Sequence, residues 1–93
     1  MPSLDTRLDQ CRLRIIGNDI YRKNSRRTKV YIIIKDNPYT TIETIFGEVR
    51  GSIELAEVRS DVRSLFADGK VEIEGWKVAT PRTFKFVQTS ETW

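Results

Sequence analysis

Thr40-Thr41-Ile42-Glu43-Thr44-Ile45-Phe46-Gly47-Glu48-Val49-Arg50-Gly51 is the stretch on which the fold turns. Thr40 and Glu43 have the spacing of a capping box: a hydroxyl takes the third amide N–H and a carboxylate returns to the first. Ile42, Ile45, Phe46 and Val49 follow at i, i+3, i+4 and i+7, the apolar face of a helix. Gly51 then supplies the backbone freedom that a helix end favours. The spacing predicts a helix over 40–50.

Downstream, Arg50-Gly51-Ser52 is a three-residue connection to a second periodic run. Leu55, Val58, Val62, Leu65 and Phe66 trace one face at i, i+3, i+7, i+10 and i+11. Ser52 is placed to cap it and Asp68-Gly69 to end it, which predicts a longer helix over 53–67. The period then drops from 3.6 to 2. Lys70-Val71-Glu72-Ile73-Glu74 alternates, Thr83-Phe84-Lys85-Phe86-Val87 alternates, and Thr80-Pro81-Arg82 is a turn between them. Gly75 shifts Trp76 and Val78 onto the apolar phase, as a bulge would. A hairpin with Val71, Ile73, Trp76, Val78, Phe84 and Phe86 on its apolar face must pack on the helices, because an isolated hairpin is marginal in water.

Upstream, Asp36-Asn37-Pro38 is a turn. Val30-Tyr31-Ile32-Ile33-Ile34 fits either a buried strand, by its β-branched residues, or a helix, since Val30, Ile33 and Ile34 stand at i, i+3, i+4. Leu4, Leu8, Cys11 and Ile15 recur at i, i+4, i+7, i+11, with Ser3 as a cap and Gly17-Asn18 as a stop. That pattern predicts an N-terminal helix over 4–16. Its stripe either packs on this chain's own core or pairs with a second copy. Cys11 lies on the stripe and reads as a buried, inert thiol rather than a reactive one.

The chain has 93 residues, room for one domain with one modest core. There is no His, which removes Ser-His and Cys-His catalysis and nearly every zinc site. No Gly-rich phosphate cradle of the common kinds occurs. A single Cys fits a reducing compartment. The longest apolar run is Val30–Ile34, far short of a membrane span, and Met1-Pro2-Ser3-Leu4-Asp5 does not read as a secretory leader. Neither metal nor cofactor nor small-molecule ligand is expected, and a cytoplasmic (nucleoid-associated or host cytoplasm) binding module is expected ahead of an enzyme.

The net charge of +3 is unevenly spread. Residues 1–35 carry nine Arg and Lys against three Asp, a balance of +6. Residues 36–75 carry four against nine carboxylates, and residues 76–93 three against one. A basic arm and a basic end flank an acidic middle. Such a dipolar chain can present a nucleic-acid face without being strongly basic overall.

Helix, three-residue turn with Gly, longer helix, Asp-Gly, hairpin: over Thr28–Val87 this order resembles the winged helix-turn-helix superfamily. Thr28–Pro38 resembles that family's first helix and following Asn-Pro turn, Thr40–Val49 its second, and Ile53–Ala67 its recognition helix. The resemblance implies that Thr28–Lys35 is helical against its own propensity. The fold expected is mainly α with a C-terminal β-hairpin (α+β), a winged helix preceded by an extra N-terminal helix. Residues 1–27 would be that helix and a basic connection, 28–88 the winged helix, and 89–93 a tail.

The family presents the recognition helix to the major groove and the wing tip to the minor groove. The resemblance therefore implies contacts from Arg59, Ser60 and Arg63 on the helix. Arg26, Arg27 and Lys29 would add phosphate contacts beside it, with Arg82 and Lys85 on the wing. Arg82, after Pro81 at a turn tip, is the residue expected to enter the minor groove. Arg59 and Arg63 have no carboxylate three or four positions away in the helix, which leaves them open to an outside anion. Against this, Glu54, Glu57 and Asp61 make the helix a poor phosphate surface.

Other features have plain readings. Glu72 and Glu74 share a strand face, where solvent exposure outweighs acid/base chemistry. Tyr21, Tyr31 and Tyr39 could stack on bases, though such tyrosines usually edge a core. Trp93 either floats or docks on a partner.

Two functions remain. The first is sequence-selective binding of double-stranded DNA by a small transcriptional regulator, working as a homodimer seamed by Leu4, Leu8, Cys11 and Ile15. The second is a protein-interaction module whose acidic helix 53–67 docks a basic partner.

Overall fold

A computed structural model of the chain describes residues 8–16, 26–80, 82, 85–90 and 93. In chain order the elements are β1 (Leu13–Ile15), α1 (Arg26–Asp36), α2 (Ile42–Val49), α3 (Leu55–Ala67), β2 (Val71–Ile73), β3 (Trp76–Thr80) and β4 (Lys85–Gln88). The class is α+β: among the described residues, three helices with two antiparallel strand pairs, β1 with β2 and β3 with β4. No helix among the described residues is long and apolar enough to cross a membrane.

α1 resolves the ambiguous apolar run in favour of the helix. Val30, Tyr31 and Ile34 are buried on one side, while Ile32 faces outward and is 49% exposed. An outward Ile blurs the helical period, and packing against α3 overrides a β-branched composition. α2 begins at Ile42, two residues inside the predicted span, with its cap moved by one. Thr41, not Thr40, is the cap, and its hydroxyl accepts from the Thr44 N–H at 3.3 Å. Ile42 and Ile45 enter the core. Gly51, at φ +93°, makes the turn into α3.

α3 is capped at Glu54 rather than at Ser52: the Glu54 N–H donates to Glu57 Oε1 at 3.2 Å. Val58, Val62, Leu65 and Phe66 form its buried face. It ends in a Schellman motif. Gly69 N–H donates to the Phe66 carbonyl (3.1 Å) and Lys70 N–H to the Leu65 carbonyl (2.9 Å), with Gly69 at φ +75°.

The predicted helix 4–16 does not extend through its second half. Residues 1–7 lie outside the described residues, Cys11 sits in a bend, and Leu13–Ile15 is the strand β1. Its register is Leu13 to Ile73, Arg14 to Glu72 and Ile15 to Val71. Leu13 also bridges to Thr40, donating its N–H to the Thr40 carbonyl at 2.7 Å. The helical spacing of Leu8, Cys11 and Ile15 (three, then four positions) coexists with a period-2 alternation, Arg12-Leu13-Arg14-Ile15. Burying Leu13 fully against Ile73 decides for the strand.

The C-terminal strands also pair differently from the sequence expectation. Val71–Ile73 pairs with β1, and the hairpin proper is β3 with β4. Gly75, at φ +80°, is the turn between β2 and β3, and the irregular register lies between Val78 and Thr80 instead. Phe86 holds the hairpin to α3, its ring centroid 5.0 Å from that of Phe66. Phe84 lies outside the described residues.

Candidate nucleic-acid interface

α3 and the β3–β4 hairpin are joined on their core-facing sides through the Phe66–Phe86 contact, and the outward surface of each is a candidate for a ligand. The outward strip of α3 is small: Ala56 and Ser60 are exposed, with Ser64 and Arg63 half-buried beside them. The charges that flank this strip are largely neutralised within the fold.

Arg26, from the first turn of α1, reaches Asp61 with Nε 2.7 Å from Oδ2 and Nη2 2.9 Å from Oδ1, and also bonds Glu57. Asp61's side chain is 4% exposed. Hydrogen bonding to that carboxylate raises the Arg26 guanidinium above its ordinary range. Arg27 lies 3.8 Å from Asp68.

Arg59 is turned the other way, toward the N-terminal segment. Its Nε donates to Asp9 Oδ1 at 2.9 Å and its Nη2 to Oδ2 at 2.5 Å. The expectation that Arg59 stands open to an outside anion is therefore corrected. Its partner is fifty positions away in sequence, beyond the reach of any helix-spacing rule.

Lys29, Arg82 and Lys85 are exposed, and among the described residues none of them makes an ion pair. Lys77 shares these properties and was absent from the sequence-derived set. It faces outward on β3, opposite Val87 on β4. Its signal was present in the alternation, since Trp76 and Val78 point inward and place Lys77 on the solvent phase. Residues 76–90 hold Lys77, Arg82 and Lys85 and no carboxylate.

The proposed dimer seam is also redistributed. Leu4 lies outside the described residues. Leu8 is 0% exposed within the core, and Cys11 and Ile15 pack against that core from its margin. Leu8 is thus used inside this chain, and no single helical stripe links it to Ile15.

A second cluster had no sequence signal. Trp93 docks on the outer side of the β1–β2 pair. Its main-chain N–H donates to Glu74 Oε2 at 2.6 Å, and Arg12 donates to its main-chain oxygen. The Arg14 guanidinium lies 4.3 Å from its ring centroid, and Tyr39 meets it edge-on with centroids 6.0 Å apart. Hydrogen bonds from Arg12 and from the Trp93 N–H hold the Glu74 carboxyl down at about 2.

No protein-family model, curated protein or solved structure matches the chain.

Proposed function

We propose that the chain is a winged helix-turn-helix protein that binds double-stranded DNA, as a homodimeric transcriptional regulator. The observation that carries this reading is the hairpin of residues 76–90, whose three cations are exposed and unaccompanied by any carboxylate. Lys77 and Lys85 would meet phosphates, and Arg82 at the tip would enter the minor groove. The small strip of Ala56 and Ser60 permits close approach of α3 to base edges, with Arg63 at its margin.

The pairing of Arg26 with Glu57 and Asp61 supports the same reading from the other side. One guanidinium is shared by two carboxylates that would repel phosphate, which cancels one of their two charges before DNA arrives, so the acidity of helix 53–67 overstates the repulsion. Arg26, Arg27 and Arg59 then act on the fold more than on the ligand, and of the three cations expected at the start of α1, Lys29 is left for phosphate.

The rival reading, docking of a basic protein on acidic residues, is favoured by Glu43, Glu48 and Glu54. All three are exposed and make no ion pair among the described residues. Salt titration separates the two. Under the DNA reading, the chain is retained on duplex at low salt and released steeply as salt rises, about 0.9 in log–log slope per phosphate neutralised. No retention on duplex at low salt selects the protein partner.

A further inference from the structure

Trp93 is met on its main chain and on its ring. Its N–H meets a carboxylate, its main-chain oxygen meets a guanidinium, its ring face lies against Arg14 and its edge against Tyr39. The four partners come from three separate segments: Arg12 and Arg14 around β1, Tyr39 ahead of α2, and Glu74 after β2. This is a site built for one residue, not a chance apolar contact.

The site is held together without its occupant. Arg12 Nη2 lies 2.7 Å from Glu74 Oε2, and Arg14 Nε lies 3.0 Å from Glu72 Oε1. These cross-strand ion pairs orient both guanidiniums whether or not an indole is present. Tyr39 is fixed by its backbone, with φ at +66° and its N–H donating to the Leu13 carbonyl at 2.9 Å. A preorganised site keeps its affinity for an occupant that arrives from elsewhere. The occupant can leave without opening the core, since Trp93 belongs to no strand or helix.

We propose that this clamp is an exchange site, which takes Trp93 from a second copy of the chain so that two copies pair by swapping tails. The proposal rests on the homodimer reading above and names its seam, a role that Leu8 cannot fill from inside the core. Reciprocal exchange fills two clamps in one association and closes with two-fold symmetry, the low-cost route to a dimer from an element already seated within one chain. The only tail known to satisfy all four contacts is this chain's own, which is why a second copy is the occupant.

Two full-length variants test this when mixed. Trp93→Ala has a clamp and no indole to give, and keeps only the two main-chain contacts. Arg12→Gln/Arg14→Gln keeps Trp93 and loses the clamp; Glu74→Gln replaces it if circular dichroism shows the double variant unfolded. One carries a donor dye and the other an acceptor, both on the N-terminal amine. The expected result is energy transfer in the equimolar mixture several-fold above that of either variant mixed with itself. Transfer no greater than in the like pairs overturns the proposal. Sedimentation of the wild type keeps the two readings apart. A dimeric wild type with a silent mixture retains the homodimer and removes the clamp as its seam. A monomeric wild type overturns the proposal even if the mixture transfers, because each clamp then holds its own chain's Trp93.

Discussion

Arg26 forks onto Asp61, Nε to Oδ2 at 2.7 Å and Nη2 to Oδ1 at 2.9 Å, and so ties the first turn of α1 to the middle of α3. Asp61 is almost wholly buried, so its charge has few other partners. Arg26→Ala strands that carboxylate and is expected to cost about 2 kcal/mol, the scale of a lost hydrogen bond to a buried charge. Urea unfolding measures it. Arg26→Ala/Asp61→Ala together should cost less than the sum of the two single changes, because the second removes the group the first left unpaired. Strict additivity would mean the fork contributes nothing.

Leu8→Asp is expected to unfold the protein rather than produce a folded monomer, since Leu8 is fully buried. The milder Leu8→Ala should cost about 2–5 kcal/mol in chemical denaturation, the range for emptying a core leucine. A Leu8→Asp chain with native circular dichroism would contradict the placement.

Gly47 and Gly51 should respond to alanine in opposite directions. A Cβ at Gly47 meets nothing within 4 Å inside α2, so Gly47→Ala is expected to stabilise by about 0.5–1 kcal/mol. Gly51 also has open space, but its φ of +93° is strained for any residue with a Cβ. Gly51→Ala should therefore destabilise by about 1 kcal/mol or more. Thermal melts of the two variants, moving apart from the wild type, provide the check.

Acid should release Trp93 from its clamp. The Glu74 carboxyl is held at about 2, below its ordinary 4.5, first by Arg12 and then by the Trp93 N–H. A depressed carboxylate contributes its stability fully above the ordinary value and loses it as pH falls toward the folded one. In a Trp76→Phe background, where Trp93 is the remaining indole, its fluorescence should stay constant near neutrality and change between about 4.5 and 2. Glu74→Gln should remove that acid-dependent change. A transition centred near neutral pH would contradict it.

Local signals were legible where one period ruled a segment. Ile42, Ile45, Val58, Val62 and Leu65 were read from spacing and are buried, and Gly51 and Gly69 take the positive φ their positions implied. The N-terminal segment carries two periods at once, and its helical spacing points away from the strand that forms. Arg12-Leu13-Arg14-Ile15 alternates in register with Val71-Glu72-Ile73-Glu74, charges of opposite sign facing across the ladder. That match becomes visible only when two segments almost sixty residues apart are compared. The fate of the cations was illegible for the same reason. Arg26 meets Asp61 and Arg59 meets Asp9 through the fold, whereas Lys77, Arg82 and Lys85 stay open because their hairpin contains no acid to receive them.

The most direct test of the account is the salt dependence of duplex binding for the wild type and for Lys77→Ala/Arg82→Ala/Lys85→Ala. All three side chains are exposed on the hairpin, so the variant should fold as the wild type does. The log–log slope is predicted to become shallower by about 0.9 for each lost cation that met a phosphate, with affinity falling across all sequences. An unchanged slope and affinity in the folded triple variant would contradict it.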